Sequence, residues 1–259
     1  MKSTKVIHWI LVCLLFSFST ISVVLGAEKT THSWGYEGDN NPSQWGRLSA
    51  EYETCAMGLF QSPIHLTPSN LIRQDGKIET HYQPTPLVIN NNGHTIQINY
   101  EPGSYAMING KKYELKQFHF HTPSEHSLNG KKSDMELHLV HQNEKGNIAV
   151  IGVFIEAGKA NSTVTTIWNH LSETEGIQEV KEQIINASDF IANNASYFHY
   201  QGSLTTPPCS ENVIWNVMRE PLEASRQQID QFMKLYPMNA RPIQEHNNRL
   251  VELIINQSS

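Results

Sequence analysis

The sequence predicts a mainly β protein, a single domain around a mostly antiparallel sheet with few helices. Three observations predict it. From residue 80 onward the chain runs in short stretches rich in Val, Ile and aromatic residues that alternate with polar ones, the period of a half-buried strand. Turn signals separate these stretches, the clearest being Asn91-Asn92-Gly93 between Leu87–Asn90 and Thr95–Tyr100, since Asn-Gly between apolar runs marks a hairpin. Helical signals are confined to Val164–Ile185, broken near Gly176, and Glu223–Tyr236. The 259 residues fit one large domain or two small ones, and seven or more strands with so few helices favour one antiparallel core.

The first 27 residues stand apart from this pattern. Lys2 and Lys5 form a positive start, Ile7 to Phe18 is nearly all apolar, and Val24-Leu25-Gly26-Ala27 offers small residues for cleavage. That is the pattern of a secretory signal peptide over residues 1–27, with the folded domain at 28–259 and an exported, periplasmic or secreted product. A membrane anchor is the alternative, but the apolar run is short for a span. No later stretch approaches a transmembrane helix. Losing two lysines leaves 17 basic against 25 acidic residues, a formal charge of −8, which disfavours nucleic acid as a partner. Cys13 leaves with the leader, so Cys55 and Cys209 remain. An even pair in an exported chain suggests a disulfide, two free thiols being the alternative.

Residues 28–60 carry little periodicity; Trp34, Tyr36 and Trp45 read as aromatic anchors of an irregular segment. Gln61-Ser62-Pro63 excludes helix nearby and is a candidate for a cis peptide. Lys112–His121, Met135–His141 and Ile148–Ile155 read as strands. In the first of these His119 and His121 share a face with Gln117, while Phe118 and Phe120 point the other way. Two such histidines stand roughly 6.7 Å apart at their Cα atoms, close enough for their rings to converge on one ion. In the second, Glu136, His138 and Val140 share a face opposite Leu137, Leu139 and His141. If the two strands pair across residues 123–134, His138 completes a three-histidine site. Three neutral histidines leave tetrahedral Zn²⁺ one open position, the arrangement of a catalytic zinc.

Phe118-His-Phe-His121, Glu136-Leu-His-Leu-Val-His141, Ser203-Leu-Thr-Thr-Pro-Pro208, Asn92-Gly-His94 and Gln61-Ser-Pro63 together resemble the α-class carbonic anhydrases. The resemblance runs from about Trp34 to Val251 in the family's order. It implies a single domain around a large twisted, mostly antiparallel sheet with peripheral helices and a metal in a conical cavity. It further implies zinc on His119, His121 and His138, and attack of zinc-bound hydroxide on carbon dioxide to give bicarbonate and a proton. Gln117, Glu136 and the backbone carbonyl of Asn239 would orient the three rings. The Thr205 hydroxyl would donate to Glu125, leaving it only acceptor capacity toward the metal, and Thr206 would touch bicarbonate. Val140, Val150, Leu204 and Trp215 would form the apolar wall for carbon dioxide, and each is equally at home in an ordinary core. His94 would shuttle the proton, with Tyr36, Asn92 and Gln97 ordering water on its path.

Strict strand alternation argues against that last role, because it would bury His94 with Ile96 and Ile98 and turn Thr95 with Gln97 to the site. The shuttle requires His94 to sit in the Asn-Gly turn instead. His126 and His141 read as structural. Thr122 and Gln142 stand where many relatives carry tryptophan, which bears on turnover and inhibitor preference. Two rivals remain: a cupin-type metal dioxygenase, since His119, His121 and Glu125 fit its spacing, and a non-catalytic binding module on the same fold. The substrate is small in the favoured reading, which leaves a homodimer open.

Overall fold

In a computed structural model, the structure describes residues 33–72, 78–192 and 195–255. The expected leader lies outside the described residues. The described residues from Ser33 onward form one compact unit.

The chain enters through two short helices, α1 (Trp45–Leu48) and α2 (Thr54–Met57), and short strands β1 (His65–Leu66), β2 (Asn70–Ile72) and β3 (Glu79–His81). The central run follows: β4 (Thr85–Asn91), β5 (Ile96–Asn99), β6 (Tyr105–Ile108), β7 (Lys111–His121), β8 (Ser127–Leu128), β9 (Met135–Gln142) and β10 (Ile148–Ala157). After helix α3 (Ser162–Trp168) come β11 (Gly176–Ile185), β12 (Tyr197–Ser203), β13 (Glu211–Met218) and β14 (Leu222–Ala224). Helix α4 (Arg226–Leu235) and β15 (Glu252–Ile254) close the described chain. One large sheet runs in the order β11-β4-β5-β7-β9-β10-β13-β12-β15-β2. Its pairs are mostly antiparallel, with β10 parallel to β13 and β14, and β15 parallel to β2.

Alternation divides the sheet into two faces. Phe118, Phe120, Leu137 and Leu139 join Trp168, Phe190 and Phe232 in the larger core. The other face carries the histidines, and beside them a second cluster of Val150, Phe198, Tyr200, Trp215 and Ile64. Parity along β7 is broken once: a bulge between Leu115 and Gln117 turns Leu115 into the larger core while Gln117 joins the histidine face.

Two helical expectations are corrected. Of the expected Val164–Ile185 only the part up to Trp168 is helical, in a helix that begins at Ser162, and Gly176–Ile185 is a strand paired with β4. Its Glu, Lys and Gln residues favour helix, but an edge strand exposed along most of its length needs little apolar alternation; Val180 and Ile185 alone are buried. The second helix begins at Arg226 rather than Glu223. Ser225 caps it through a full capping box with Gln228, while Leu222–Ala224 pairs with β10.

Candidate metal centre

Strand pairing brings the three histidines together. His119 lies directly opposite His138, and His121 directly opposite Glu136. One ring nitrogen from each of His119, His121 and His138 falls within 4.8 Å of the others. The outer nitrogens are all held. His119 Nδ1 donates to Gln117 Oε1 at 2.8 Å, His121 Nδ1 to the Asn239 carbonyl at 2.6 Å, and His138 Nε2 to Glu136 Oε1 at 2.9 Å. The free inward nitrogens are therefore Nε2, Nε2 and Nδ1. Burial lowers the basicity of His119 and His121, that of His119 well below the usual imidazole range and reinforced by the neighbouring rings, while Glu125 pulls His121 partly back. These rings reach neutral pH unprotonated, the form a metal requires.

Behind His138 runs a buried chain that the sequence does not reveal. Glu136 is fully buried; its Oε1 also accepts from His126 Nδ1 at 2.7 Å, and its Oε2 from the His126 N–H at 2.8 Å. With Nδ1 donating, His126 Nε2 accepts from the Tyr200 hydroxyl at 2.6 Å, and Tyr200 in turn accepts from Ser62 at 2.9 Å. Burial would raise the Glu136 carboxyl, but His126 and His138 overcome it and hold it well below the usual range. His126 is thus structural, as the sequence reading has it. Gly152, opposite His138 on β10, leaves room for this: a β-carbon there would approach Glu136 Oε1 to 3.0 Å.

Asn239 does more than receive His121. Its Nδ2 donates to the carbonyls of His94 and Phe120, each at 3.0 Å, and its Oδ1 accepts from Thr122 N–H at 2.7 Å. It ties the His94 turn to the ligand strand. His94 itself sits in the turn before β5, partly exposed, its ring stacked on Trp34 at 3.7 Å. Strict alternation fails here because the strand begins only at Ile96, and Thr95 is buried with its hydroxyl on the Phe120 carbonyl. Tyr36 and Asn92 line the same recess as His94, one of about 460 Å³. Gln97 stands opposite His119 and donates to Asn99.

The expected hydrogen bond from Thr205 to Glu125 is not made. Glu125 Oε1 accepts from the Arg241 N–H at 2.7 Å, while Oε2 has no hydrogen-bond partner and faces His121 Nε2 at 3.6 Å and His138 Nδ1 at 3.9 Å. The free oxygen of the carboxylate faces the two imidazoles. His121 Nε2 is likewise buried without a partner. Two orphaned acceptors facing each other in a buried site fit a bound cation. The donor set suits zinc, with three imidazole nitrogens inside and a hydrogen-bonded partner behind each ring.

Val140, Val150, Leu204 and Trp215 meet in the second cluster beside His138. Val150 lies directly opposite both Val140 and Trp215. Thr205 is buried and Thr206 half-buried. Their loop is braced by the Cys55–Cys209 disulfide, 154 residues apart in sequence, and by Cys209 N–H to the Thr206 carbonyl at 2.8 Å. Arg241, absent from the sequence reading, spans the same region: its guanidinium donates to Gln61, Ser62 and the Cys55 carbonyl. Burial brings it down to about 10. No local spacing could have revealed it, since its partners lie 116 to 186 residues away.

A single-domain β protein with three histidines converging from two paired strands, each ring anchored behind, defines a protein with a site that could hold a metal ion. A model of the eukaryotic-type carbonic anhydrases matches residues 40–255, and the chain belongs to that family. A carbonic anhydrase of a Nostoc species is 46% identical over 240 residues, 91% of this chain and 90% of the relative. One from Neisseria gonorrhoeae is 40% identical, over 85% and 87% of the two chains. Among solved structures, a hyperthermostable carbonic anhydrase from a hydrothermal vent chimney superposes with TM-score 0.81 at 43% identity, covering 86% of this chain and all of the other. The α-carbonic anhydrase of Thermovibrio ammonificans, in complex with sulfanilamide, gives 0.81 at 41%, over 85% and 99%. The protein is an enzyme of the carbonic anhydrase type, acting on a small molecule, and the dioxygenase rival falls away. No helix among the described residues is long and apolar enough to cross a membrane.

Proposed function

We propose that the enzyme hydrates carbon dioxide reversibly to bicarbonate and a proton, with Zn²⁺ on His119, His121 and His138. The observation that carries this reading is the convergence of three ring nitrogens within 4.8 Å, each ring fixed from behind. Bound zinc would supply a water acidic enough to ionise near neutral pH. Val140, Val150, Leu204 and Trp215 offer an apolar wall for a substrate without net charge or dipole. Thr205 and Thr206, in the braced loop, would offer hydroxyls for bicarbonate, and Glu125 has a carboxylate oxygen without a hydrogen-bond partner that could accept from the Thr205 hydroxyl. His94 at the mouth would pass the proton to solvent, with Tyr36, Asn92 and Gln97 along its water path.

The leader at 1–27 and domain at 28–259 would deliver the enzyme to the periplasm or outside. The disulfide supports an oxidising compartment. The test is stopped-flow hydration of carbon dioxide by the zinc-loaded protein beside His119→Ala. Activity in the parent and background rates in the variant are expected; equal rates defeat the reading.

A further inference from the structure

The recess beside His94 carries a carboxylate, Glu175, that the proposed reaction does not use. Strand β11 begins at Gly176, which pairs with Asn91 at the end of β4. That first pair sets Glu175 against the turn holding His94. The carboxylate lies so close to Gly93 that a β-carbon there would come within 2.7 Å of Glu175 Oε1. The contact is anchored on both sides: Asn91 Nδ2 donates to the Ser172 carbonyl at 2.8 Å, and the Tyr236 hydroxyl donates to Asn91 Oδ1. Gly93, at φ +81°, keeps a conformation that a side chain would resist. Glu175 is therefore held one residue from the shuttle by strand pairing.

We propose that Glu175 is a positioning residue for proton release, its carboxylate steadying the charged form of His94 in the recess they share. This rests on His94 carrying the proton. The imidazole is stacked on Trp34 and half-buried, so burial works against its charging; Glu175 opposes that penalty. Besides the stacked Trp34 ring, the titratable groups among the described residues that line this recess with His94 are Tyr36, Glu37, Tyr236 and Glu175. Of these, Glu175 is the one whose charge acts on the ring, and it also pushes the Tyr236 hydroxyl up to about 12 together with the larger effect of burial. A more basic His94 is a better proton acceptor, while the exposed carboxylate keeps the pair in contact with solvent, where the proton must go.

The zinc-loaded parent, Glu175→Gln, Glu175→Asp and Glu37→Gln are compared by NMR titration of the His94 ring and by steady-state hydration in dilute buffer. Glu175→Gln is expected to lower the His94 midpoint and to cut kcat by about two- to fivefold, the effect of one solvent-facing charge pair, with kcat/KM unchanged. Added salt should shrink the difference, and Glu175→Asp should restore both values. A midpoint that stays put, or moves as much in Glu37→Gln, overturns the inference. So does a parallel fall of kcat and kcat/KM, which marks a structural defect. A zinc-loaded parent without hydratase activity defeats the functional reading and the proton-release role with it, while the midpoint still reports separately whether Glu175 acts on His94.

Discussion

His138 and His141 stand three residues apart on the same strand, and each is buried to within 1% of complete. They face opposite sides of the sheet and meet opposite fates. His138 is backed by a carboxylate that is itself held by His126, so its ring is oriented and its inward nitrogen is left free for a metal. His141 enters the apolar core, where the Tyr82 hydroxyl bonds its Nε2 at 2.7 Å. No charged group compensates there, and burial brings it down to about 4. A buried imidazole becomes a ligand or an inert core residue according to the charge and geometry behind it, more than according to its depth.

Four substitutions break or sharpen that contrast. His138→Ala should abolish stoichiometric zinc binding and reduce hydration to background, whereas His141→Gln should keep both; metal analysis and stopped-flow rates decide. The core histidine should show itself in acid stability. Its folded pKa lies below the unfolded 6.5, so the unfolded chain takes up its proton first. Its contribution is complete above pH 6.5 and is lost as pH falls toward 4, about 3 kcal/mol in all. Denaturant unfolding at pH 7 and pH 4.5 should find that part of the slope missing in His141→Gln.

On the polar face, Glu136→Gln should weaken zinc by about 10- to 100-fold in chelator competition, because it removes the negative charge behind His138 and sets an NH₂ donor where Oε2 accepts from the His126 N–H. Gly152→Ala should be the mildest change. Its methyl would press on Glu136 Oε1 at 3.0 Å and Val217 at 3.3 Å, costing about 1 kcal/mol by thermal or denaturant unfolding.

Much of the metal centre was legible because it is local. Residues two apart on a strand share a face, so His119 and His121 had to converge and Phe118 and Phe120 had to oppose them. The same parity separated His138 from His141. Legibility failed where a residue's neighbours come from another part of the chain. Gly176–Ile185 reads as helix from its own Glu, Lys and Gln residues, and only its pairing with β4 makes it a strand. Glu175 drops from view with it, since its place beside His94 depends on that pairing. The capping box at Ser225 and Gln228, by contrast, was written in the sequence and would have corrected the start of α4.

The sequence by itself determined which side chains could share a face, that the fold would be mostly strands, and which family's motifs the chain carries. Only the tertiary structure decided that Arg241 reaches across to Gln61 and Cys55, that Tyr200 and His126 stand behind Glu136, and that Glu125 turns toward the imidazoles. The reason is physical. Strand parity is set by the covalent geometry of neighbouring residues, whereas a buried charge must find its partners wherever the folded chain brings them.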